Sequence, residues 1–279
     1  MIVRVPASSA NLGPGFDVLG VALSMHLEAG LVPDGEEAPP VADGHPALDA
    51  FAKAGGTGNV WVRSPIPMGR GLGFSGAARV AGTLLALAQA EGGPASVSTA
   101  DLADEVYRRA SELEGHGDNV AASLYGGVVV SSVGTVTRVP LAFDPAVVVW
   151  VPSAKTSTNE SRTRLALTVP IDDVVFNLGR VAMLVAALAS GDTAALRLAT
   201  QDRLHQPTRL GTASASRDAI DRALAAGAWC AWLSGSGPSV AAFCPIEKAE
   251  AIAAALPLHE GVAVKQLRID HAGAVIEPA

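Results

Sequence analysis

Between Pro67 and Arg79 the chain reads PMGRGLGFSGAAR, with four glycines among the eight residues Gly69 to Gly76, and then enters an alanine-rich stretch of helical character. Glycines permit positive φ and carry no Cβ, so successive backbone N–H groups can turn inward onto a ligand. The helix that follows adds the positive end of its dipole. That combination suits phosphate, and it also suits a plain strand-to-helix turn. Two other phosphate patterns are excluded. A Walker-type loop needs a lysine and Ser/Thr after its last glycine, whereas Gly76 is followed by Ala77 and Ala78. Gly71, Gly73 and Gly76 do satisfy G-x-G-x-x-G, with Glu91 twenty residues on. In a dinucleotide fold, however, the first glycine directly ends a strand and the acid ends the next one; here Pro65 and Pro67 intervene and Glu91 closes a helix. Ser75, at the start of the helix, could cap it or coordinate a phosphate-bound Mg²⁺. ELEGHGDN at 112–119 places Glu114 at a helix end beside glycines, where a carboxylate would complete a hard-cation site.

These residues need elements to position them. Strands read at IVRVP, VLGVALSM and NVWVR before the loop and helices at about 75–91 and 99–114 after it, while GGVVVSS with TVTRVPL reads as a β-hairpin. In the second half, VVVWV (147–151) predicts a strand. Val174, Leu178, Val181, Val185 and Leu188 then follow at 4-3-4-3 spacing, which predicts the buried face of a helix. WCAWL, a Gly/Ser/Pro turn, SVAAFC, the helical IEKAEAIAAAL and VAVKQLRI complete a β-α-β-β-α-β order, ferredoxin-like once the helical insertions around 193–226 are set aside. The expected fold class is α+β in two domains, residues 1–146 with the glycine loop and residues 147–279 with the ferredoxin-like unit. Between Leu31 and Gly58, VPDGEEAPPVADGHP is too rich in Pro, Gly and acid to hold a regular element for long, and loop is expected there.

Composition narrows the class of ligand. Hydrophobic residues make up 49% of the 279 and charged ones 17%, which excludes disorder, and no apolar run reaches the roughly 18 residues a membrane helix needs. The opening MIVRVPASS reads as a short strand rather than a signal peptide, so a cytoplasmic protein is expected. Cys230 and Cys244 sit in apolar segments and read as buried thiols. A net charge of -7 without a Lys/Arg block argues against nucleic acid as a partner and favours a small molecule.

At these motifs the sequence resembles the GHMP kinases and, within them, the homoserine kinase family. VPASSANLGPGFDVLGVAL is similar to the family's first motif, PMGRGLGFSGAAR to its second and LSGSGPSVAAF to its third. ELEGHGDNVAASLYGG, STNESR and QDRLHQPTR resemble segments of the homoserine branch, so the likeness runs nearly the whole chain. The resemblance implies that the loop, from Pro67 through Gly69, Arg70, Gly71, Leu72, Gly73, Phe74 and Ser75 to Gly76, binds the phosphates of ATP. It implies Ser75 and Glu114 as the Mg²⁺ ligands, and a third motif, Ser234, Gly235, Ser236 and Gly237, that closes against the loop. It further implies a substrate site of Asn11, Asp17, Asp118, Asn119, Thr158, Arg162 and Arg209. Such a set suits an amino acid, since two guanidinium groups can fork onto a carboxylate while carboxylates and amides receive an ammonium. The chain departs from the family pattern at Phe74, where a serine is usual, at Gly76, where alanine is usual, and in 31–58, which lacks an Asn-Leu-Val segment.

The expected reaction is ATP-dependent phosphorylation of L-homoserine on the route to threonine. Catalysis would come mainly from positioning and charge neutralisation by Ser75, Glu114 and the loop, with Arg70 as helper and Asn119 orienting the hydroxyl. His116 is read as bracing its turn and His205 as orienting Arg209. Phosphorylation of another small alcohol, such as a sugar or a mevalonate-like acid, and a non-catalytic nucleotide or metabolite sensor are the alternatives. A homodimer is expected from the family and from the sheets' edge strands.

Overall fold

The computed structural model describes residues 1–278 apart from 34, 38, 40 and 157 and the side chains of 158 and 159. Its first half is built from β1 (Ile2–Ala10), β2 (Leu19–Leu31), α1 (Pro46–Lys53), β3 (Val60–Arg63), α2 (Phe74–Ala90), α3 (Thr99–Glu114), α4 (Asp118–Tyr125), β4 (Val128–Ser132) and β5 (Thr135–Val139). Its second half holds β6 (Ala146–Val151), α5 (Thr158–Thr163), α6 (Ile171–Ser190), α7 (Leu196–Ala199), α8 (Gln206–Gly211), α9 (Ser214–Ala225), β7 (Cys230–Leu233), β8 (Val240–Cys244), α10 (Ala249–Ala255), β9 (Ala263–Arg268) and β10 (Val275–Glu277).

The larger sheet is antiparallel in the order β10-β1-β2-β4-β5, with β3 pairing onto the far end of β2. The smaller has the order β7-β8-β6-β9, again antiparallel, which is the ferredoxin-like arrangement. Strand β6 shows why two layers form. Its residues alternate between two cores: Val147, Val149 and Val151 join the large core shared with the first sheet, while Ala146, Val148 and Trp150 join a second one under α9 and α10.

Three expectations need correction. The second unit, placed at 147–279, does not keep its C-terminal end: β10 crosses back and covers β1, whose outer edge would otherwise present unpaired backbone groups. The stretch between Leu31 and Gly58 is not all loop. Pro46 at its first turn and His45, whose Nδ1 accepts from the Ala47 amide at 3.1 Å, start α1, which buries Ala47, Ala50 and Phe51. The buried face of α6 is rotated from the one spacing predicts. Leu178 is 65% exposed, whereas Asn177, Leu184, Ala187 and Leu188 are buried. Asn177 is drawn inward because its amide donates to the Pro14 carbonyl at 3.1 Å and to the Asp202 carboxylate at 2.6 Å. A polar residue that ties three segments together outweighs an apolar periodicity.

Candidate active site

The glycine loop leaves β3 and runs into α2 along one wall of a cavity of about 450 Å³. Pro67, Gly69, Gly71, Leu72, Gly73, Phe74 and Ser75 line that wall. Gly71 and Gly73 both adopt positive φ, and both are pressed so closely that a Cβ would collide, at Gly71 with the Ser234 carbonyl oxygen and at Gly73 with Ser8 Oγ. Hydrogen bonds hold the same ground. Ser234 Oγ donates to the Gly71 carbonyl at 2.6 Å, and the Ser8 amide to the Leu72 carbonyl at 3.3 Å. The loop is therefore clamped between β1 and the turn Ser234 to Gly237.

Gly73 is the N-cap of α2, with no side chain on the first amides and no acid in the first turn, so the helix's positive end opens into the cavity. The eight-residue α4 also begins at the cavity, with Gly117 as N-cap. Phe74 keeps the backbone course of the loop: its ring turns aside to meet the His45 ring edge-on at 5.4 Å. Gly76 lies behind the wall, packed against Asn119. Arg70, expected as a helper at the phosphates, is turned away. Its guanidinium donates to the carbonyls of Pro152 and Ser153 at 2.9 Å each and of Met68 at 3.2 Å, bracing the loop from outside.

Ser75 does not cap α2. Its Oγ donates to Glu114 Oε2 at 2.8 Å, across from the C-terminal end of α3. Two hard oxygens at that separation, both on the cavity, fit a magnesium-type cation. A third group shares the position. Arg79 lies one turn along α2 from Ser75, and its Nη1 touches both Ser75 Oγ and Glu114 Oε2.

The opposite wall carries the charged clamp. Arg162, from α5, meets Asp17 with two bonds of 2.8 and 2.5 Å. Arg209, from α8, is 8% exposed; Nη1 donates to the Gly235 carbonyl at 3.1 Å and to His205 Nδ1 at 3.1 Å. Burial, then the nearby Arg162, pull the Arg209 guanidinium below its ordinary pKa. His205 is buried and neutral: burial lowers its pKa, Nδ1 accepts from Arg209 and Nε2 faces the Gly13 carbonyl at 2.7 Å. It thus orients Arg209, and Asp202 in turn receives the amides of Leu204, His205 and Gln206 that start α8.

Asp118 and Asn119 open α4. Asp118 Oδ1 accepts from the Asn119 amide at 2.7 Å and lies 2.7 Å from His116 Nδ1, so His116 braces its turn. Donor atoms of Asp17, His116 and Asp118 fall within 4.8 Å of one another, giving an acidic nest beside the arginines. Asn119, which lines the cavity, accepts at Oδ1 from Ser8 Oγ at 2.8 Å and donates from Nδ2 to Asp118 Oδ1 at 3.4 Å. Asn11 is committed to the fold: Nδ2 donates to the Gly235 carbonyl at 3.0 Å and Oδ1 accepts from the Asp17 amide at 3.1 Å. Thr158 begins α5, and its side chain lies outside the described residues.

Sequence reasoning missed Phe16 and Arg79. Phe16 lies under both arginines, 5.3 Å from Arg162 and 5.2 Å from Arg209, and stacks on His205 at 5.1 Å. No period announces it, because it sits in a loop. That loop holds Asn11, Leu12 and Asp17 at positive φ, three of the four such non-glycine residues among those described. For Arg79 a signal existed: it lies at i+4 from Ser75 on a helix.

Comparison with known proteins agrees with this geometry. The model of the GHMP kinases N terminal domain matches residues 44–127, and that of the GHMP kinases C terminal domain residues 184–260. A homoserine kinase of Gloeobacter violaceus is 39% identical, with 92% of this chain and 91% of that one covered; one of Thermus thermophilus is 38% identical over the same shares. Among solved structures, homoserine kinase from Cytophaga hutchinsonii superposes with a TM-score of 0.83 at 27% identity, covering 99% of this chain and 97% of that one. A putative homoserine kinase from Listeria monocytogenes gives 0.79 at 29%, covering 99% of each. Mevalonate kinase of L. major, at 0.69 and 18% over 96% of each chain, shares the fold. Identity at this level, sustained over nine-tenths of both chains, makes the chain a member of the homoserine kinase family of the GHMP kinases.

Proposed function

We propose that the enzyme transfers the γ-phosphoryl group of ATP to the side-chain hydroxyl of L-homoserine, giving O-phospho-L-homoserine and ADP on the route to threonine. One observation carries this reading: a single cavity joins a glycine loop and the open N-terminus of α2 to a cluster of arginines and carboxylates. The first half matches a polyphosphate, the second an amino-acid zwitterion.

In the reaction the hydroxyl oxygen forms a bond to the γ-phosphorus, the bond from that phosphorus to the bridging oxygen breaks, and the hydroxyl proton leaves to a phosphoryl oxygen. Arg162 and Arg209 take the substrate carboxylate, Asp17 and Asp118 its ammonium, and Asn119 Nδ2 orients the hydroxyl. The amides of the loop and of the first turn of α2 bind the phosphates. Glu114 and Ser75 would hold Mg²⁺, which supplies charge neutralisation at the phosphates when bound. The Asp17–Arg162 pair must open to admit the zwitterion, whose two charged groups then replace the two partners. This exchange leaves neither charge unpaired, so the cavity accepts a zwitterion at lower cost than a neutral alcohol or a simple acid.

A cytoplasmic setting belongs to the same proposal, supported by two buried free thiols, Cys230 and Cys244. So does a homodimer, supported by the exposed apolar stripe Ile171, Val175 and Leu178 on α6, which could meet its own copy about a two-fold axis. Among the described residues, no helix is long and apolar enough to cross a membrane.

The test is coupled ADP release with Mg²⁺ and ATP, comparing L-homoserine with L-serine, L-threonine, mevalonate and galactose. Turnover confined to L-homoserine, lost in Arg162→Ala and in Ser75→Ala, is expected. Turnover with mevalonate or galactose in place of L-homoserine would overturn the substrate assignment, and none with any alcohol the kinase reading.

A further inference from the structure

The side chain of Arg79 has no part in the roles assigned so far, yet it sits at their centre. It rises from α2 one turn beyond Ser75, and a helical side chain leans back toward the N-terminus, so its guanidinium lies against the two oxygens read above as the cation position. About four-fifths of the side chain is buried, at 21% exposure, and Glu114 is at 11%. Its Nε is buried with no hydrogen-bond partner among the described residues. An arginine remains a cation in this setting, so the carboxylate of Glu114 is already neutralised before any ligand arrives. A free divalent ion would have to expel a buried guanidinium from its best partner, with only one carboxylate and one hydroxyl to gain. A nucleotide changes the balance, because phosphate oxygens add ligands for the ion. A second anion is carried by the neighbouring helix: α1 packs along α2 and bears Asp49, whose Oδ2 meets Lys53 at 2.9 Å.

We propose that Arg79 is a resident cation of the phosphate site, held between Ser75 and Glu114 in the nucleotide-free enzyme and exchanged toward Asp49 when a divalent ion enters with its nucleotide. The site therefore refuses the free ion and accepts the ion–nucleotide pair. This makes Arg79 a positioning residue that sets the order of binding. The inference rests on reading Ser75 and Glu114 as the cation position.

Mn²⁺ titration followed by electron paramagnetic resonance tests both levels on the full chain. Without nucleotide, wild type is expected to bind Mn²⁺ weakly, and Arg79→Met at least about tenfold more tightly, a gain abolished in the double variant with Glu114→Gln. With a non-hydrolysable ATP analogue present, the two proteins should converge to within about threefold. Equal Mn²⁺ affinity of wild type and Arg79→Met without nucleotide overturns the role of Arg79. If Glu114→Gln also leaves Mn²⁺ binding unchanged with the analogue present, the cation position itself is wrong, and the two failures are thereby told apart. Should Arg79→Met lose its cooperative melt, Asp49→Asn decides. Removing the second anion is expected to weaken Mn²⁺ binding in the presence of the analogue several-fold without altering it in its absence, and no change in either condition overturns the exchange.

Discussion

The two walls of the cavity are built by different means. The loop wall is backbone: amides of a glycine turn and of a helix start, fixed because Gly71 and Gly73 are wedged against Ser234 and Ser8. The clamp wall is side chain: Arg162, Arg209 and Asp17, held over Phe16 by ion pairs and ring contacts on a strained loop and short helices. A backbone wall tolerates changes of side chain but not of conformation, and a side-chain wall the reverse. This accounts for the survival of the loop's course with Phe74 in it.

The comparison can be broken by experiment, beginning with the clamp. Arg209→Met removes one member of a buried, hydrogen-bonded charge set, which typically costs about 2–5 kcal/mol. The KM for L-homoserine should rise roughly 30-fold or more in steady-state assays, with nucleotide affinity by calorimetry unchanged; an equal loss on both sides would show that the walls are not separate. On the loop wall, Gly71→Ala sets a Cβ against a carbonyl at positive φ, worth about 1–3 kcal/mol of strain. Calorimetry should show weaker binding of an ATP analogue by roughly tenfold or more while the substrate site, probed by a homoserine analogue, is kept.

The next effect is one of pH. Burial holds His205 below its ordinary value of 6.5, so the unfolded chain takes up a proton before the folded one does. Stability is therefore full above that value and falls as pH drops below it, by up to about 1.4 kcal/mol per unit until the folded group also titrates. His45, lowered by partial burial, adds to the slope. Urea unfolding between pH 7.5 and 5.5 should show the decline, and His205→Gln should flatten it; an unchanged slope in that variant would remove His205 from the account.

Phe16→Leu keeps an apolar floor but removes the ring face from two guanidinium groups, about 0.5–1 kcal/mol each. The KM for L-homoserine should rise by roughly five- to tenfold with little change in kcat. Smallest of all, Phe74→Ser should change ATP-analogue affinity less than about threefold, since the ring turns to His45 and the proposed phosphate contacts are backbone amides. A large change there would mean that the loop wall is not purely backbone, and the contrast between the walls would fall.

What could be read from the chain follows the same division. The glycine loop, Ser75, Glu114 and the β-α-β-β-α-β order were legible because backbone demands leave local marks: glycines where φ is positive, a helix beginning behind a turn, an unbroken short apolar run at β6. The face of α6 was misjudged because Asn177 is buried by partners at Pro14 and Asp202, far away in sequence. Arg70 was misassigned for a like reason, as carbonyls at 152 and 153 outcompete the loop for its guanidinium. The return of β10 to β1 also depends on a pairing more than 260 residues apart, between Ile2 and Glu277 at its end.

By itself, then, the sequence determined the strands of the two sheets and the glycine loop ahead of α2, since each rests on periodicity or on the conformational freedom of glycine within a few residues, whereas the arginines and carboxylates of the clamp were pointed to by motif resemblance alone. Only the tertiary structure decided that Phe16 lies under both arginines, that Asn11 is spent on the third motif's turn and that Arg79 stands between Ser75 and Glu114. Those are contests among long side chains for distant polar partners, and burial and geometry, which no local pattern encodes, settle which partner each one meets.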